Sequence, residues 1–305
     1  MAEHYIETLD QGAGENQSMQ YLGGKSRLGG RIVQAILADL GVKRLSLAVD
    51  LCSGAGGVTH RLADVADKVV AVEAHPGLVA LMRAVQGGWV PPEHVSEEEY
   101  QEIRRGDQTT ALAAFVGFGC SFGGKWWGGY ARTEAGNTTA RNYCLNARRA
   151  VLKETRPNID HANADALAFE IDAEVVYCDP PYEGTTGYTA VAVAENGAWW
   201  RRLADIASSE RACYLSEYAE VPPASIEARL VWSAPTKEGL RKAGARTERL
   251  WRVLGYTAAN GPAVAVDARV HDCKCERPSD FAGDMDQPNC PLHALNSTHG
   301  EDAEE

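Results

Sequence analysis

The chain has no excess of positive charge. Its 30 lysines and arginines are outnumbered by 42 aspartates and glutamates, for a formal net charge of −12. Whole-chain charge therefore argues against a nucleic-acid partner, and local charge has to decide. Long hydrophobic runs are missing as well. The first twenty residues hold no apolar core of signal-peptide length, and no later run is long enough to span a bilayer, so a cytoplasmic protein is expected. Cysteine is not arranged as a disulfide framework. Cys52, Cys120, Cys144, Cys178 and Cys213 are scattered singly and read as reduced thiols, while the other three lie in the tail. What remains is ordinary for a globular protein. With 45% hydrophobic residues over 305 positions, the chain can form one large α/β domain with an insertion, or two modest domains.

The most informative stretch is Glu174 to Tyr188, EVVYCDPPYEGTTGY. Val175-Val176-Tyr177-Cys178 is a short apolar run with the pattern of a buried strand. Pro180 and Pro181 cannot continue it, because each removes a ladder N–H and fixes φ. The strand is expected to stop at Asp179, leaving Asp179-Pro180-Pro181-Tyr182 in a stiff loop at its carboxyl end, where open α/β sheets bind ligands. Asp179 and the Pro180 carbonyl are two acceptors suited to the two hydrogens of an exocyclic amino group, and Tyr182 offers a face for the ring that carries it. Two acceptors pulling on those hydrogens favour a tetrahedral nitrogen with a freed lone pair, which is stabilisation aimed at a transition state. An ordinary strand-to-turn junction is the plain alternative.

Upstream, residues 1–18 read as a polar leader. Tyr21-Leu22-Gly23-Gly24-Lys25 follows, with two glycines that permit close backbone approach and a lysine able to meet a carboxylate. Apolar residues from Leu28 to Leu40 fall at helical spacing, and Gly41 stops the helix. Leu45–Asp50 reads as a strand, Ser53-Gly54-Ala55-Gly56-Gly57 as a tight turn, and Val58–Ala66 as a helix. The glycines do not form GxGxxG, and tight packing explains such a turn nearly as well as a ligand. A second strand, Lys68–Val72, ends in Glu73, an acid placed to meet ribose hydroxyls. Gly87–Arg105 reads as an acidic loop.

Residues 117–132, GFGCSFGGKWWGGYAR, hold six glycines and five aromatics, a composition not expected to form a tidy core element. From Gly119 to Arg156 seven basic side chains face two acidic ones, a local reversal of sign. Basic charge interleaved with aromatics suits a phosphate backbone with stacked bases. The candidates are Lys125, Trp126, Trp127, Tyr130, Arg132, Arg141, Arg148 and Arg149. A surface subdomain whose aromatics pack on one another is the alternative. Asn142–Glu154 reads as a helix, Ala198–Ser208 as another, and Arg211–Tyr218, Val231–Ser233 and Glu248–Val253 as strands. The basic loop from Lys237 to Arg246 is available to DNA or simply solvated. Asp165, in NADAL, suits a hydrogen bond from a cofactor amine, or a turn. In the tail, Cys273, Cys275, Cys290 and His293 have a spacing compatible with a structural zinc site, or are incidental in a disordered acidic end.

Taken in order, YLGGKSRL, DLCSGAGG, Glu73, NADAL and DPPY resemble the adenine-specific DNA methyltransferases of the Dam-like type. GFGCSFGGKWWGGYAR, YLSEY and TERLW resemble its phage-encoded branch. The likeness runs from about Met19 to Val253. It implies a Rossmann-like S-adenosylmethionine-dependent methyltransferase sheet with an inserted target-recognition subdomain. Residues 19–84 and 161–258 would form the catalytic domain, 85–160 the insertion and 259–305 the tail. It implies S-adenosyl-L-methionine as methyl donor, double-stranded DNA as partner and adenine N6 as acceptor, in a restriction-modification or an orphan setting.

Carried over by position, Tyr21, Gly24 and Lys25 would line the methionine end of the cofactor. Asp50, Ser53, Gly54 and Gly56 would form the turn beneath it, Glu73 would hold its ribose and Asp165 its adenine. Asp179, which also borders the cofactor, would hold the target base with Pro180 and Tyr182, and Pro181 completes the loop. Leu51-Cys52 departs from the Pro-Phe type pair of many members. The implied mechanism is direct in-line transfer to a flipped-out base, with no cysteine nucleophile. N4-cytosine methylation, an RNA substrate, and a catalytically silent DNA-binding protein on the same fold are the competing readings.

Overall fold

A computed structural model of the chain describes residue 19 and residues 24–132, 142–153, 155–181, 197–208, 210–235 and 247–258. Among them lies a seven-stranded sheet of order β3-β2-β1-β4-β5-β7-β6. The strands are β1 (Leu45–Asp50), β2 (Ala66–Glu73), β3 (Ile159–Asn163), β4 (Val175–Cys178), β5 (Ala212–Glu217), β6 (Ile226–Pro235) and β7 (Thr247–Tyr256). β1 to β5 run parallel, and β7 is antiparallel to both β5 and β6. This is the Rossmann-like methyltransferase sheet that the resemblance implies. Its strand order reverses between β1 and β4, and the carboxyl ends beside that reversal are where open α/β sheets bind ligands.

The central strands are near-continuous apolar runs because both faces are covered. Successive side chains alternate between the faces. Val175 and Tyr177 join one core with α1 (Gly29–Leu40) and α2 (Thr59–Ala63). Val176 and Cys178 join another with α7 (Ala198–Ile206). In α1 the spacing Ile32, Val33, Ile36 makes the buried stripe, and Gly41 at φ 69° supplies the left-handed cap that was expected. No helix among the described residues is long and apolar enough to cross a membrane.

Between β2 and β3 lie α3 (Pro76–Gln86), α4 (Glu97–Arg105), α5 (Ala111–Ala114), a π-helical turn at Phe115–Gly119 and α6 (Tyr143–Lys153). Three expectations fail in and around this region. Glu97–Arg105 is a helix, not part of an acidic loop. Its apolar stripe shrinks to Tyr100 and Ile103, too little for a periodicity to show. Its ends carry the signal instead: Ser96 and Glu99 form a reciprocal capping box, three glutamates sit in the first turn, and Arg104 and Arg105 sit in the last. The helix expected over Val58–Ala66 is only Thr59–Ala63, because Ala66 already pairs with Leu45 as the first residue of β2.

The third correction is Gly117–Arg132, which does contribute to a core. Phe115, Val116, Gly117, Phe118 and Gly119 are all buried. Glycine is what lets the rings close on the π turn: a Cβ on Gly117 would lie 2.4 Å from the Trp126 ring, and one on Gly119 would lie 2.7 Å from Ala147 Cβ. The last two strands are also longer than Val231–Ser233 and Glu248–Val253. They pair over nearly ten residues, with irregularities at Glu227/Ala228 and Leu230/Trp232 that interrupt the alternation a sequence pattern needs.

Candidate active site

The carboxyl ends of β1, β2, β4 and β5 converge with the start of β7, which its antiparallel direction brings to the same edge. Arg249 pairs with Glu217, and Leu250 with Ser216. Immediately after β4 stands Asp179. Its Oδ1 accepts a hydrogen bond from Lys25 Nζ at 2.8 Å, joining residues 154 positions apart. The Lys25 side chain is 7% exposed. Burial lowers its pKa, but Asp179, Glu248 and Tyr218 together more than offset that, and the net direction is upward. Lys25 thus meets a carboxylate, as its place before the helix suggested, and the carboxylate belongs to the protein.

Lys25 is held there by backbone contact. Its carbonyl accepts from the amides of Leu28 and Gly29 as α1 begins. A Cβ on Gly29 would stand 2.2 Å from the Gly57 carbonyl oxygen, and one on Gly57 would stand 2.9 Å from the Ser26 amide nitrogen. Only glycines let these two segments lie so close. Gly24 is exposed beside them.

The turn after β1 is built on buried polar contacts. Asp50 is 1% exposed, and its Oδ2 accepts from the Thr59 hydroxyl at 2.7 Å. Burial, with Asp179 and Glu73 adding negative potential, pushes its carboxyl up to about 7. Gly54 and Gly56 take positive φ, 51° and 82°, and a Cβ on Gly56 would collide with the His60 ring at 2.2 Å. Ser53 donates its amide to the Val72 carbonyl and its own carbonyl accepts from Gly56. Glu73 closes the turn. One of its oxygens accepts from the Gly54 amide at 2.9 Å and the other from the His75 amide at 2.8 Å. Burial raises its pKa against those two bonds. The carboxylate also meets the Ala74 amide, and its remaining acceptor capacity suits a ligand hydroxyl.

The thiols of Cys52 and Cys178 lie 3.9 Å apart between this turn and Asp179. Contact with Cys178 and burial push Cys52 upward, and burial pushes Cys178 upward against its bond with Cys52, so both stay protonated, which suits a site with no cysteine nucleophile. Beneath Asp179, the Tyr177 hydroxyl and Ser216 Oγ are 2.8 Å apart in a fully buried pair. Pro180 is buried and Pro181 half-buried. Asp165 is exposed, and its carboxylate accepts from the Leu167 amide at 3.0 Å, the turn geometry that was its plain alternative. Tyr21, Tyr182, Arg141, Cys273, Cys275, Cys290 and His293 lie outside the described residues. Among those that are described, no group of three or more histidines, cysteines and acids is placed to hold a metal.

The residues named for DNA contact look different in three dimensions. Trp126 packs on Phe118 and on Trp127, and Trp127 and Tyr130 both pack edge-on against the buried Tyr100. The Trp127 indole donates to Gln108, and the Tyr130 hydroxyl to the Val95 carbonyl at 2.7 Å. Arg132 pairs with Glu97, and Arg148 with Glu93. The internal packing weighed as the alternative is therefore what these aromatics do. Lys125 and Arg149 are exposed.

Two side chains went unread in the sequence. His75 caps α3 through Nδ1 and touches the Trp126 ring at a centroid distance of 4.4 Å. Burial lowers its pKa, which keeps the ring neutral. Glu248 is buried beside Lys25. The signal for His75 was the His-Pro pair opening a helix. For Glu248 it was an acid in register with Leu250 and, through alternation, with the buried face of its strand.

No protein-family model matches the sequence, and no curated protein matches it. Solved structures do. The chain is similar to the 23S rRNA methyltransferase ErmE at 13% identity, over 75% of this chain and 69% of that one, with a TM-score of 0.36. It is similar to a dimethyladenosine transferase from Plasmodium falciparum at 10% identity, over 75% and 62%, with a TM-score of 0.34. It is similar also to precorrin 8W decarboxylase of Methanobacterium thermoautotrophicum at 11% identity, over 74% and 89%, with a TM-score of 0.32. Likenesses of this size leave substrate and reaction undecided, and the chemistry rests on the site itself.

Proposed function

We propose that this chain transfers the methyl group of S-adenosyl-L-methionine to N6 of adenine in duplex DNA. The observation that carries the proposal is the Lys25–Asp179 contact. It brings the GGK segment and the DPP segment, far apart in sequence, to one sheet edge beside the glycine turn. The base and the polymer rest on the sequence resemblance, while the geometry supports an acceptor for an amino group.

The cofactor fits this edge by charge. Burial raises the Asp50 carboxyl, and Asp179 and Glu73 add negative potential to it, so a cation bound among them is favoured. The turn over Ser53–Gly56 would lie beneath it and Glu73 would meet its ribose. Asp165 is left to its adenine by the resemblance. When bound, the cofactor supplies an electrophilic methyl group. The chain's part is to orient the acceptor. Asp179 and the Pro180 carbonyl take the two amino hydrogens, and the nitrogen lone pair is thereby freed to point away from the ring. Tyr182 stacks on the flipped base, whose extrusion costs a few kcal/mol. The stiffness of the two prolines keeps both acceptors in place without reorganisation.

The test is transfer of label from S-adenosylmethionine to unmethylated duplex DNA, with the product nucleosides separated by mass. N6-methyladenine is expected. N4-methylcytosine would overturn the base, and label appearing only in RNA would overturn the polymer. No transfer from a chain that still binds the cofactor would favour the silent DNA-binding protein.

A further inference from the structure

Lys25 has a second counter-ion that neither the motifs nor the resemblance assigns. Glu248, the second residue of β7, is 1% exposed, and its Oε2 lies 3.5 Å from Lys25 Nζ. The ammonium therefore stands between two carboxylates, Asp179 at the end of β4 and Glu248 at the start of β7. A Lys–Asp pair alone would be neutral, whereas the trio carries net charge −1 in a dry setting. Burying an extra carboxylate is costly, and an apolar residue would suit the strand better, as Leu250, Trp251 and Val253 show further along. What sets this glutamate apart from that apolar pattern is its contact with the buried Lys25.

A reason appears once Asp179 is read as the acceptor of an amino group, and the inference rests on that reading. A carboxylate whose charge is fully met by one ammonium is a weakened acceptor. Dividing the ammonium between two carboxylates leaves Asp179 with more of its charge, and charged acceptors bond donors more strongly. It also fixes the ammonium on one side of Asp179. We infer that Glu248 is a positioning residue: it anchors Lys25 from β7 and shares its charge, so that Asp179 is held in place as an acceptor for the substrate amine. Tyr218 and Glu217 also face Lys25. Both lie on or just after β5 and move with the same strand pair.

The experiment compares the full-length parent with Glu248→Gln and Glu248→Asp by two readouts. One is steady-state methyl transfer across pH. The other is the titration of the Lys25 ammonium by nitrogen-15 lysine resonance, assigned with Lys25→Arg. Glu248→Gln is expected to lose about 100-fold in kcat, the scale of a displaced reacting group. Its KM for the cofactor should stay within about threefold, the mark of a lost transition-state interaction. Because Glu248 raises the Lys25 pKa, removing its charge should move the Lys25 titration, and the alkaline limb of kcat with it, to lower pH. Glu248→Asp, which keeps the charge, should restore both in large part. Parent-like kcat in Glu248→Gln overturns the inference. So does a loss of kcat that Glu248→Asp fails to recover while the titration stays put, since that is damage to the fold. If the parent itself methylates no DNA, the proposed function fails instead. The titration still decides the anchoring: an unmoved Lys25 overturns it, and a moved one sustains it for another amino substrate.

Discussion

Two glycine-rich stretches of this chain look alike as composition and do opposite work. In residues 53–57 the glycines let backbone approach backbone at the sheet edge: Gly54 and Gly56 turn left-handed, and Gly57 lies against Ser26 and Gly29. In residues 117–129 the buried glycines let rings approach backbone: Trp126 closes over Gly117, and Ala147 meets Gly119. One set builds the turn proposed to lie beneath the cofactor, and the other seals a core. A missing Cβ says only that something comes near, and the identity of that neighbour is a tertiary fact.

The largest effect should come from the edge to which the first stretch belongs. Asp179→Ala is expected to abolish methyl transfer while cofactor binding, followed by calorimetry, survives. Retained turnover would break the assignment.

Alanine at the two kinds of glycine then sharpens the contrast. Gly29→Ala places a Cβ 2.2 Å from a backbone oxygen that cannot swing aside. We expect a loss of about 1–3 kcal/mol, together with a drop in kcat as Lys25 shifts. Gly117→Ala meets the Trp126 ring at 2.4 Å and should cost a similar amount, with kcat per folded molecule unchanged. Equal kinetic losses in the two variants would erase the distinction between them.

The smallest effect is a pH dependence. With the Asp50 carboxyl raised to about 7, part of it is protonated near neutrality in the ligand-free chain. A bound cation stabilises the ionised form, so cofactor binding should release protons and tighten as pH rises through 7. Calorimetry in buffers of different ionisation enthalpy reads that release, and Asp50→Asn should remove it. An affinity flat from pH 6 to 8 would show that the cofactor's charge does not reach Asp50.

Much of the half proposed to be catalytic was legible. β1 and β4 are short apolar runs because both their faces are buried, and the prolines after Cys178 end the strand by removing donors. The insertion was less legible. α4 buries little beyond Tyr100 and Ile103, so its evidence lay in its caps and not in its periodicity. The aromatics of residues 118–130 fit either a core or a nucleic-acid surface, since hydrophobic rings are needed in both. Only Tyr100, brought in by α4, shows that most of them face inward.

Local chemistry, then, determined by itself where the strands lie, which loop is stiff, and that an acid and a carbonyl acceptor stand side by side where β4 ends. Those properties depend on neighbours within a few residues, through φ restriction, missing donors and side-chain alternation. The partner of Asp179 was beyond its reach. Lys25 and Glu248 come from opposite ends of the described chain, and they meet because β7 runs antiparallel beside β5 and delivers its first residues to the edge where the parallel strands end. A strand's direction in a sheet is set by the packing of the whole, and so was the charge around the proposed acceptor.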